Sequence, residues 1–168
     1  MSATRRLLAA LRPILRPRGP VTTTVPAGDR AGAGSGTGTG TEGIGYAPRA
    51  DGLPDPGEVV WAWVPYEEDA SRGKDRPALL IGRRGGQLLG LMLTSKDHDR
   101  DAQDEARHGR HWMDVGSGGW DREGRPSEVR LDRLLVLDPS AVRREGAALD
   151  RRVFDAVVSA AARFHPGA

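Results

Sequence analysis

A glycine-rich stretch divides this sequence into two parts that differ in their capacity to fold. Between residues 18 and 53 the chain contains the run G-A-G-S-G-T-G-T-G-T-E-G-I-G. Such a run buries too little apolar surface to offset the conformational entropy that its glycines lose on ordering. We therefore predict a flexible linker over residues 18–55. The rest of the chain, residues 56–168, is long enough for one domain with an ordinary core.

Charge and cysteine usage restrict the class of protein. Residues 1–53 carry seven arginines against three acidic side chains, whereas the remainder has 18 basic and 20 acidic residues. A slightly acidic folded part argues against a broad duplex-DNA surface, so a nucleic-acid site would be a local cluster. The absence of cysteine excludes disulfides and zinc–thiolate clusters and favours a cytoplasmic location. No apolar run approaches the roughly 20 residues of a membrane span, so we expect no integral membrane association.

The N-terminus has a pattern of its own. Leucines and an isoleucine recur at helical spacing among arginines between residues 3 and 16, which defines a basic amphipathic segment over 1–17. A disordered arginine-rich tail and a surface anchor both fit this pattern.

From Pro56 onward the chain consists of short β-rich runs ended by turn residues. The runs cover 59–64, 78–82, 87–94, 111–115 and 127–138, the last being one strand or two strands joined by a bend. R-R-G-G at 83–86 has the composition of a hairpin turn. These features predict a mainly β fold, a small barrel. Apolar residues at helical spacing from Leu149 to Phe164 predict an amphipathic C-terminal α-helix that covers it.

The polar stretch between the third and fourth runs contains candidate metal ligands. Its aspartates alternate as in a calcium-binding loop: Asp97, Asp99, Asp101. Ala102 and His108 stand where such a loop needs glycine and glutamate, respectively. His108, His111 and Asp114 would bind a metal only if the fold brought them together. We predict a solvated acidic loop, and neither a metal nor a cofactor. The glycine runs at 82–86 and 116–119 also lack the pattern of a phosphate-binding loop.

The order of five segments resembles the PemK/Kid/MazF toxins of type II toxin–antitoxin systems. The segments are G-E-V-V-W-A-W-V at 57–64, R-P-A-L-L-I-G at 76–82, L-T-S at 93–95, V-R-L-D-R at 129–133 and the closing helix. The resemblance covers about residues 56–165. It implies an SH3-like, PemK/MazF-like barrel that forms a homodimer. It also implies metal-independent cleavage of single-stranded RNA, and a cognate antitoxin protein that blocks the site.

The resemblance also implies a set of site residues. RNA carries its own nucleophile, the 2'-hydroxyl, so a cleaving site needs a base, cations for the phosphorane and groups that orient the backbone. In this reading Asp132 is the base, Arg76 and Arg130 hold phosphate oxygens, and Thr94 and Ser95 orient the phosphate.

Two alternatives stay open at this point. Without the resemblance, Arg76, Arg130 and Asp132 read as a strand-end ion-pair network. The corresponding protein is a catalytically silent barrel that binds RNA or an antitoxin-like partner and regulates. The sequence departs from the family pattern at Ala70, Ser71 and Arg133. We expect these departures to change the RNA sequence that is cut or to weaken cleavage.

Overall fold

The computed structural model describes residues 42–98 and 102–167. The basic segment at 1–17, the linker up to residue 41, Asp99 and Asp101 lie outside these residues. Within the described ranges, no helix is long and apolar enough to cross a membrane.

The described residues form an antiparallel sheet of seven strands with two helices. The elements are β1 (Gly43–Ile44), β2 (Glu58–Pro65), β3 (Gly73–Arg84), β4 (Gln87–Thr94), α1 (Ala102–Arg107), β5 (Trp112–Gly116), β6 (Ser127–Leu137), β7 (Val142–Ala148) and α2 (Arg151–Ala161). The strand order is β5-β6-β4-β3-β2-β7, and β1 pairs with β3. The model confirms the predicted mainly β fold with a C-terminal helix.

Both faces of the central strands are buried. Consecutive residues such as Val59 and Val60 point to opposite faces of the sheet, and both side chains are fully buried. One face packs under α2 in a cluster that includes Leu79, Leu91, Val129 and Phe154. The other face forms a second cluster around Leu80, Met92 and Leu135. Register shifts interrupt the β2–β7, β3–β4 and β4–β6 pairings, and such bulges bend strands and increase their twist.

The structure settles the alternative for residues 127–138, because β6 is one strand. Its bend takes the form of a register shift opposite Leu91–Leu93 of β4. Three elements were not predicted: β1, which is described below, β7 and α1. Strand β7 has the sequence V-R-R-E-G-A-A, which shows no apolar alternation, and it forms by pairing with β2. Helix α1 lies in the stretch predicted as an acidic loop, where A-Q-D-E-A-R are mostly good helix formers.

Helix α2 lies within the range predicted for it, Leu149 to Phe164, and begins at Arg151 with Asp150 as its N-cap. The Asp150 carboxylate accepts hydrogen bonds from the amides of Arg152 and Val153, at 2.8 and 3.3 Å, and so caps the first turn. Phe154, Val157 and Ala161 bury the apolar face of the helix against the sheet.

The packed chain extends N-terminal of Pro56, into the range assigned to the linker. Strand β1 pairs with residues 82–83 of β3, beyond the point where β2 stops pairing with that strand. The Tyr46 hydroxyl donates to the Leu149 carbonyl oxygen at 2.8 Å, and its ring packs edge-to-face on Phe154. Gly82 permits this pairing, because a Cβ there would lie 2.4 Å from the Gly43 carbonyl oxygen. Residues 43–46 are therefore packed against the domain, although their glycine content predicts a flexible linker.

Candidate active site

A cleft of about 400 Å³ opens where the ends of β2, β4 and β6 meet α1 and β5. Five basic side chains line it: Arg76, Lys96, Arg110, Arg130 and Arg133. Three glutamates, Glu67, Glu68 and Glu105, oppose them. Tyr66, Trp112 and His98 add rings to the wall. A cleft that combines cations with aromatic faces is suited to single-stranded nucleic acid, whose phosphates and bases it can hold at once.

Arg130 is the most enclosed cation of the cleft, with 9% of its side chain exposed. Its Nη2 lies 2.8 Å from Asp132 Oδ2, and its Nη1 lies 2.7 Å from Glu67 Oε1. Arg130 and Asp132 are two residues apart on β6, so both side chains project from the same face. Burial lowers the pKa of Arg130, but the hydrogen bonds and negative charges of Asp132 and Glu67 together outweigh burial and raise this pKa.

Asp132 sits behind Arg130 and does not line the cleft. Its Oδ1 accepts a hydrogen bond from the His111 amide at 2.7 Å, and its Oδ2 accepts from Nε and Nη2 of Arg130. Burial raises the pKa of Asp132, yet the hydrogen bonds from Arg130 and His111 outweigh it and lower the pKa overall. An ionised carboxylate held in this way fixes the position of the guanidinium.

Arg76 differs from Arg130 in having no carboxylate partner. It is half-buried on β3, and its side chain forms no ion pair or hydrogen bond within residues 42–98 and 102–167. Ala78 of β3 pairs with Met92 of β4, so Arg76 and Thr94 lie two residues beyond that pair on their respective strands. The antiparallel register therefore places these two side chains at the same end of the sheet.

Arg76 and Thr94 also line a second cleft of about 270 Å³ beside the first. Thr94 Oγ1 accepts a hydrogen bond from the Lys96 amide at 3.2 Å. Ser95 is exposed and lines the second cleft only, together with Trp61 and other residues. Of the five expected site residues, the structure therefore brings Arg76, Thr94 and Arg130 into one cleft. Ser95 lines only the second cleft, and Asp132 contacts Arg130 without lining either cleft.

Sequence reasoning missed a buried pair, His98 and Glu128, of which His98 lines the same cleft. His98 is 8% exposed, and its Nδ1 lies 2.8 Å from Oε2 of Glu128 on β6. The imidazole stacks on Trp112 with 4.1 Å between ring centroids and 4° between planes. One sequence signal points to it. Glu128, Arg130 and Asp132 alternate along β6, so three charged residues share one face of a strand that has apolar neighbours.

The departures noted in the sequence occupy different surroundings. Ala70 and Ser71 are exposed in the loop between β2 and β3, where the Ser71 hydroxyl donates to Asp69 at 2.6 Å. Arg133 lines the cleft, and its Nη2 donates to the Pro65 carbonyl oxygen at 2.7 Å. This contact ties β6 to the end of β2.

The histidines considered for a metal site lie apart. His108 is 60% exposed beside Asp104 of α1, and the His111 ring packs on Phe164 with 4.7 Å between centroids. Among the residues that the structure describes, no three His, Asp or Glu side chains gather as metal ligands would.

Comparison with known proteins gives one family. Residues 55–165 match the model of the PemK-like, MazF-like toxins of type II toxin–antitoxin systems. No curated protein sequence matches the chain.

The solved structures that match this chain share little sequence with it. A MazE–MazF structure from Deinococcus radiodurans has 19% identity and a TM-score of 0.48, and covers 70% of this chain and 100% of that one. MazF alone from the same organism has 20% identity and a TM-score of 0.48, with coverage of 67% and 96%. The Mycobacterium tuberculosis toxin MazF-mt6 has 15% identity and a TM-score of 0.42, with coverage of 64% and 94%.

Proposed function

This chain belongs to the PemK-like, MazF-like toxins of type II toxin–antitoxin systems, and from that membership we propose that it is a metal-independent endoribonuclease. Its substrate is single-stranded RNA, which it cleaves through attack of a 2'-hydroxyl on the adjacent phosphorus. The products carry 2',3'-cyclic phosphate and 5'-hydroxyl ends. The observation that carries the proposal is the cleft in which Arg76, Thr94 and Arg130 meet beside Trp112.

Each of these side chains has a role that its surroundings support. Arg76 lacks a protein anion among the described residues, so its guanidinium is available to a phosphate oxygen. The Thr94 hydroxyl donates to a second phosphate oxygen while its lone pair accepts from the Lys96 amide. Ser95 contacts the RNA backbone where it enters the second cleft. Arg130 stabilises charge on the phosphorane, and Asp132 holds Arg130 in place.

By the family resemblance Asp132 would be the base, but its hydrogen bonds favour a positioning role instead. Both carboxylate oxygens already accept hydrogen bonds, and the lowered pKa makes this group a weak proton acceptor.

The same membership supports three further proposals. The protein acts in the cytoplasm, it forms a homodimer, and a cognate antitoxin blocks the cleft. An antitoxin segment rich in carboxylates would compete with RNA for Arg76, because both present anionic oxygens to an unpaired guanidinium.

One observation favours a second candidate, the catalytically silent barrel. Arg130 and Arg133 already face Glu67 at 2.7 and 3.6 Å, and Arg110 faces Glu105 at 3.2 Å. A cleft whose cations are matched by protein carboxylates resembles a structural ion-pair network. This candidate binds RNA or an antitoxin-like protein without cutting.

The deciding experiment incubates the purified protein with a long single-stranded RNA in EDTA. Cuts at defined positions, with cyclic phosphate at the new 3' ends, support the endoribonuclease. Intact RNA together with a retained RNA–protein complex supports the silent barrel. Cleavage that EDTA abolishes contradicts the proposed chemistry.

A further inference from the structure

The His98–Glu128 pair has no part in the mechanism described so far, although His98 lines the same cleft. His98 follows β4, and Glu128 lies at the start of β6. Two groups of His98 face this carboxylate: Nδ1 lies 2.8 Å from Oε2, and the backbone amide lies 3.3 Å from each oxygen. Glu128 is 9% exposed and His98 is 8% exposed. The pair is therefore fixed and largely removed from water.

The hydrogen bond determines which nitrogen of the imidazole carries the proton. An ionised carboxylate only accepts, so Nδ1–H donates to Glu128 and the lone pair of the neutral ring is on Nε2. Trp112 holds the plane of the ring by stacking, and the Trp112 indole N–H in turn donates to Glu105 Oε2 at 3.2 Å. A carboxylate that orients an imidazole is the arrangement by which enzymes present Nε2 as a base.

We propose that His98 is the general base of the RNA-cleaving reaction and that Glu128 is its positioning residue. The inference rests on the proposed function and assigns the proton transfer that Asp132 is poorly placed to make. Nε2 accepts the 2'-hydroxyl proton as the 2'-oxygen bonds to phosphorus. The bond from phosphorus to the 5'-oxygen breaks, and the departing oxygen takes a proton from water. Glu128 stabilises the imidazolium that forms, which then returns its proton to solvent.

Charged groups from several elements face or flank the imidazole. Glu128 and Arg130 belong to β6, Glu105 belongs to α1, and Arg110 precedes β5. Lys96 and Asp97 flank His98 in its own loop. Any pH profile of the reaction reports His98 in the presence of these groups, so the test compares variants that change one of them at a time.

The test measures single-turnover cleavage of a short RNA in EDTA between about pH 5 and 9. His98→Asn keeps an amide that donates to Glu128 and removes Nε2. We expect the wild-type rate to rise with pH and level off once the imidazole is neutral. In His98→Asn it falls by roughly a hundredfold to ten-thousandfold and rises with pH without levelling. The matched control His108→Asn changes an exposed histidine on α1 and follows the wild type.

Two further measurements separate a base from a structural contact. Added imidazole raises the rate of His98→Asn in proportion to its neutral form, and it leaves the rates of Arg76→Ala and the wild type unchanged. Glu128→Gln keeps His98 and moves the levelling of the rate to lower pH, because the imidazolium loses its anion. Asp132→Asn lowers the rate and keeps the wild-type profile. Thermal unfolding verifies that each variant is folded, and Glu128→Gln carries the test if His98→Asn is not.

The possible outcomes distinguish a failure of the proposed function from a failure of the inference about His98. If the wild type leaves RNA uncut at every pH, the proposed function and this inference fall together. If the wild type cuts while folded His98→Asn keeps both its rate and its profile, only the inference falls. Loss of the levelling in Asp132→Asn instead of in the His98 variant returns the base to Asp132.

Discussion

At the scale of single residues, the cleft separates cations by whether the protein already neutralises them. Arg130 is held by Asp132 and Glu67, whereas Arg76 has no such partner among the described residues. A guanidinium without a protein anion has more to gain from a phosphate, since no ion pair has to be broken first. Removal of the Arg76 side chain should therefore lower the cleavage rate strongly and break no ion pair within the described part of the protein.

Replacement of Arg76 by alanine tests this assignment. We expect cleavage to fall roughly a hundredfold to a thousandfold, the usual cost of one lost charge contact in a transition state. Thr94→Ala lowers the rate less, because it removes an orienting hydroxyl and no charge. The matched control is Arg84→Ala, an exposed arginine outside both clefts whose Nη2 donates to the Gly167 carbonyl oxygen. Single-turnover rates give the ranking, and equal rates for the Arg76 and Arg84 variants would remove Arg76 from the site.

The same scale shows what the sequence could reveal of the site. Three site residues lie near strand ends in segments whose order resembles the toxin family: Arg76, Thr94 and Arg130. The resemblance therefore predicts that they share one site. His98 stands in an unpatterned polar stretch, and its meaning depends on Glu128, which is 30 residues away. The role of Asp132 depends on hydrogen-bond partners, which a pattern of residue types does not specify.

At the scale of elements, β1 shows how a glycine-rich segment can join a sheet. Tyr46 supplies the apolar contact with the core, and Gly82 leaves room for the Gly43 backbone. Strands β2, β3, β4 and β6 were predictable because apolar runs ended at turn residues. The sequences of β1 and β7 contain no apolar run of this kind. These strands form because they pair with β3 and β2, and such pairing cannot be read from local sequence.

Substitution of Gly82 by alanine tests the attachment of β1. The new Cβ would meet the Gly43 carbonyl oxygen, which is backbone and cannot swing aside as a side chain can. We expect amide exchange at Gly45 to accelerate, because its N–H donates to the Ile81 carbonyl oxygen across this contact. Amides of α2 and the central strands stay protected.

Gly45→Ala is the control for this experiment, because a Cβ at Gly45 meets nothing within 4 Å. If amide exchange at residue 45 accelerates equally in both variants, the close approach of the Gly43 backbone to Gly82 is contradicted. Residues 43–46 lie in the range predicted as a flexible linker, 18–55, yet their amides should be protected in the wild type because β1 pairs with β3.

At the scale of the whole molecule, stability in acid depends on buried carboxylates. Asp55 is 2% exposed and lies 2.8 Å from Arg49 and 3.2 Å from Arg83. The hydrogen bond from Arg49 lowers the pKa of Asp55, burial opposes it, and Arg83 adds to the lowering. Because the folded pKa lies below the unfolded one, this stabilisation is complete above about pH 4 and is lost as the pH falls through the folded pKa.

Urea unfolding of Asp55→Asn at two pH values measures the effect. We expect the variant to be less stable than the wild type at neutral pH, and the difference to shrink near pH 3 as the wild-type carboxyl takes up its proton. Asp155→Asn, which breaks an exposed pair on α2, should change the free energy of unfolding by well under about 1 kcal/mol. A deficit of Asp55→Asn that is the same at both pH values would show that the carboxylate charge is not what stabilises this corner.

The proposed homodimer is a further property of the whole molecule. Sedimentation at micromolar concentration should give twice the 18.0 kDa mass of the chain. A single monomeric species at that concentration contradicts the proposal.

The internal pairing of the cleft cations also determines how RNA binding responds to salt. Binding to a cation whose anion is a protein carboxylate exchanges one fixed anion for another, so little dissolved salt enters the equilibrium. Among the described residues only Arg76 and Lys96 of the five cleft cations lack a carboxylate partner. With a slope of about −0.7 per phosphate on single strands, the logarithm of the binding constant should fall with the logarithm of salt at about −1.4, not about −3.5. RNA would therefore remain bound at ionic strengths that release it from a cleft of five unpaired cations.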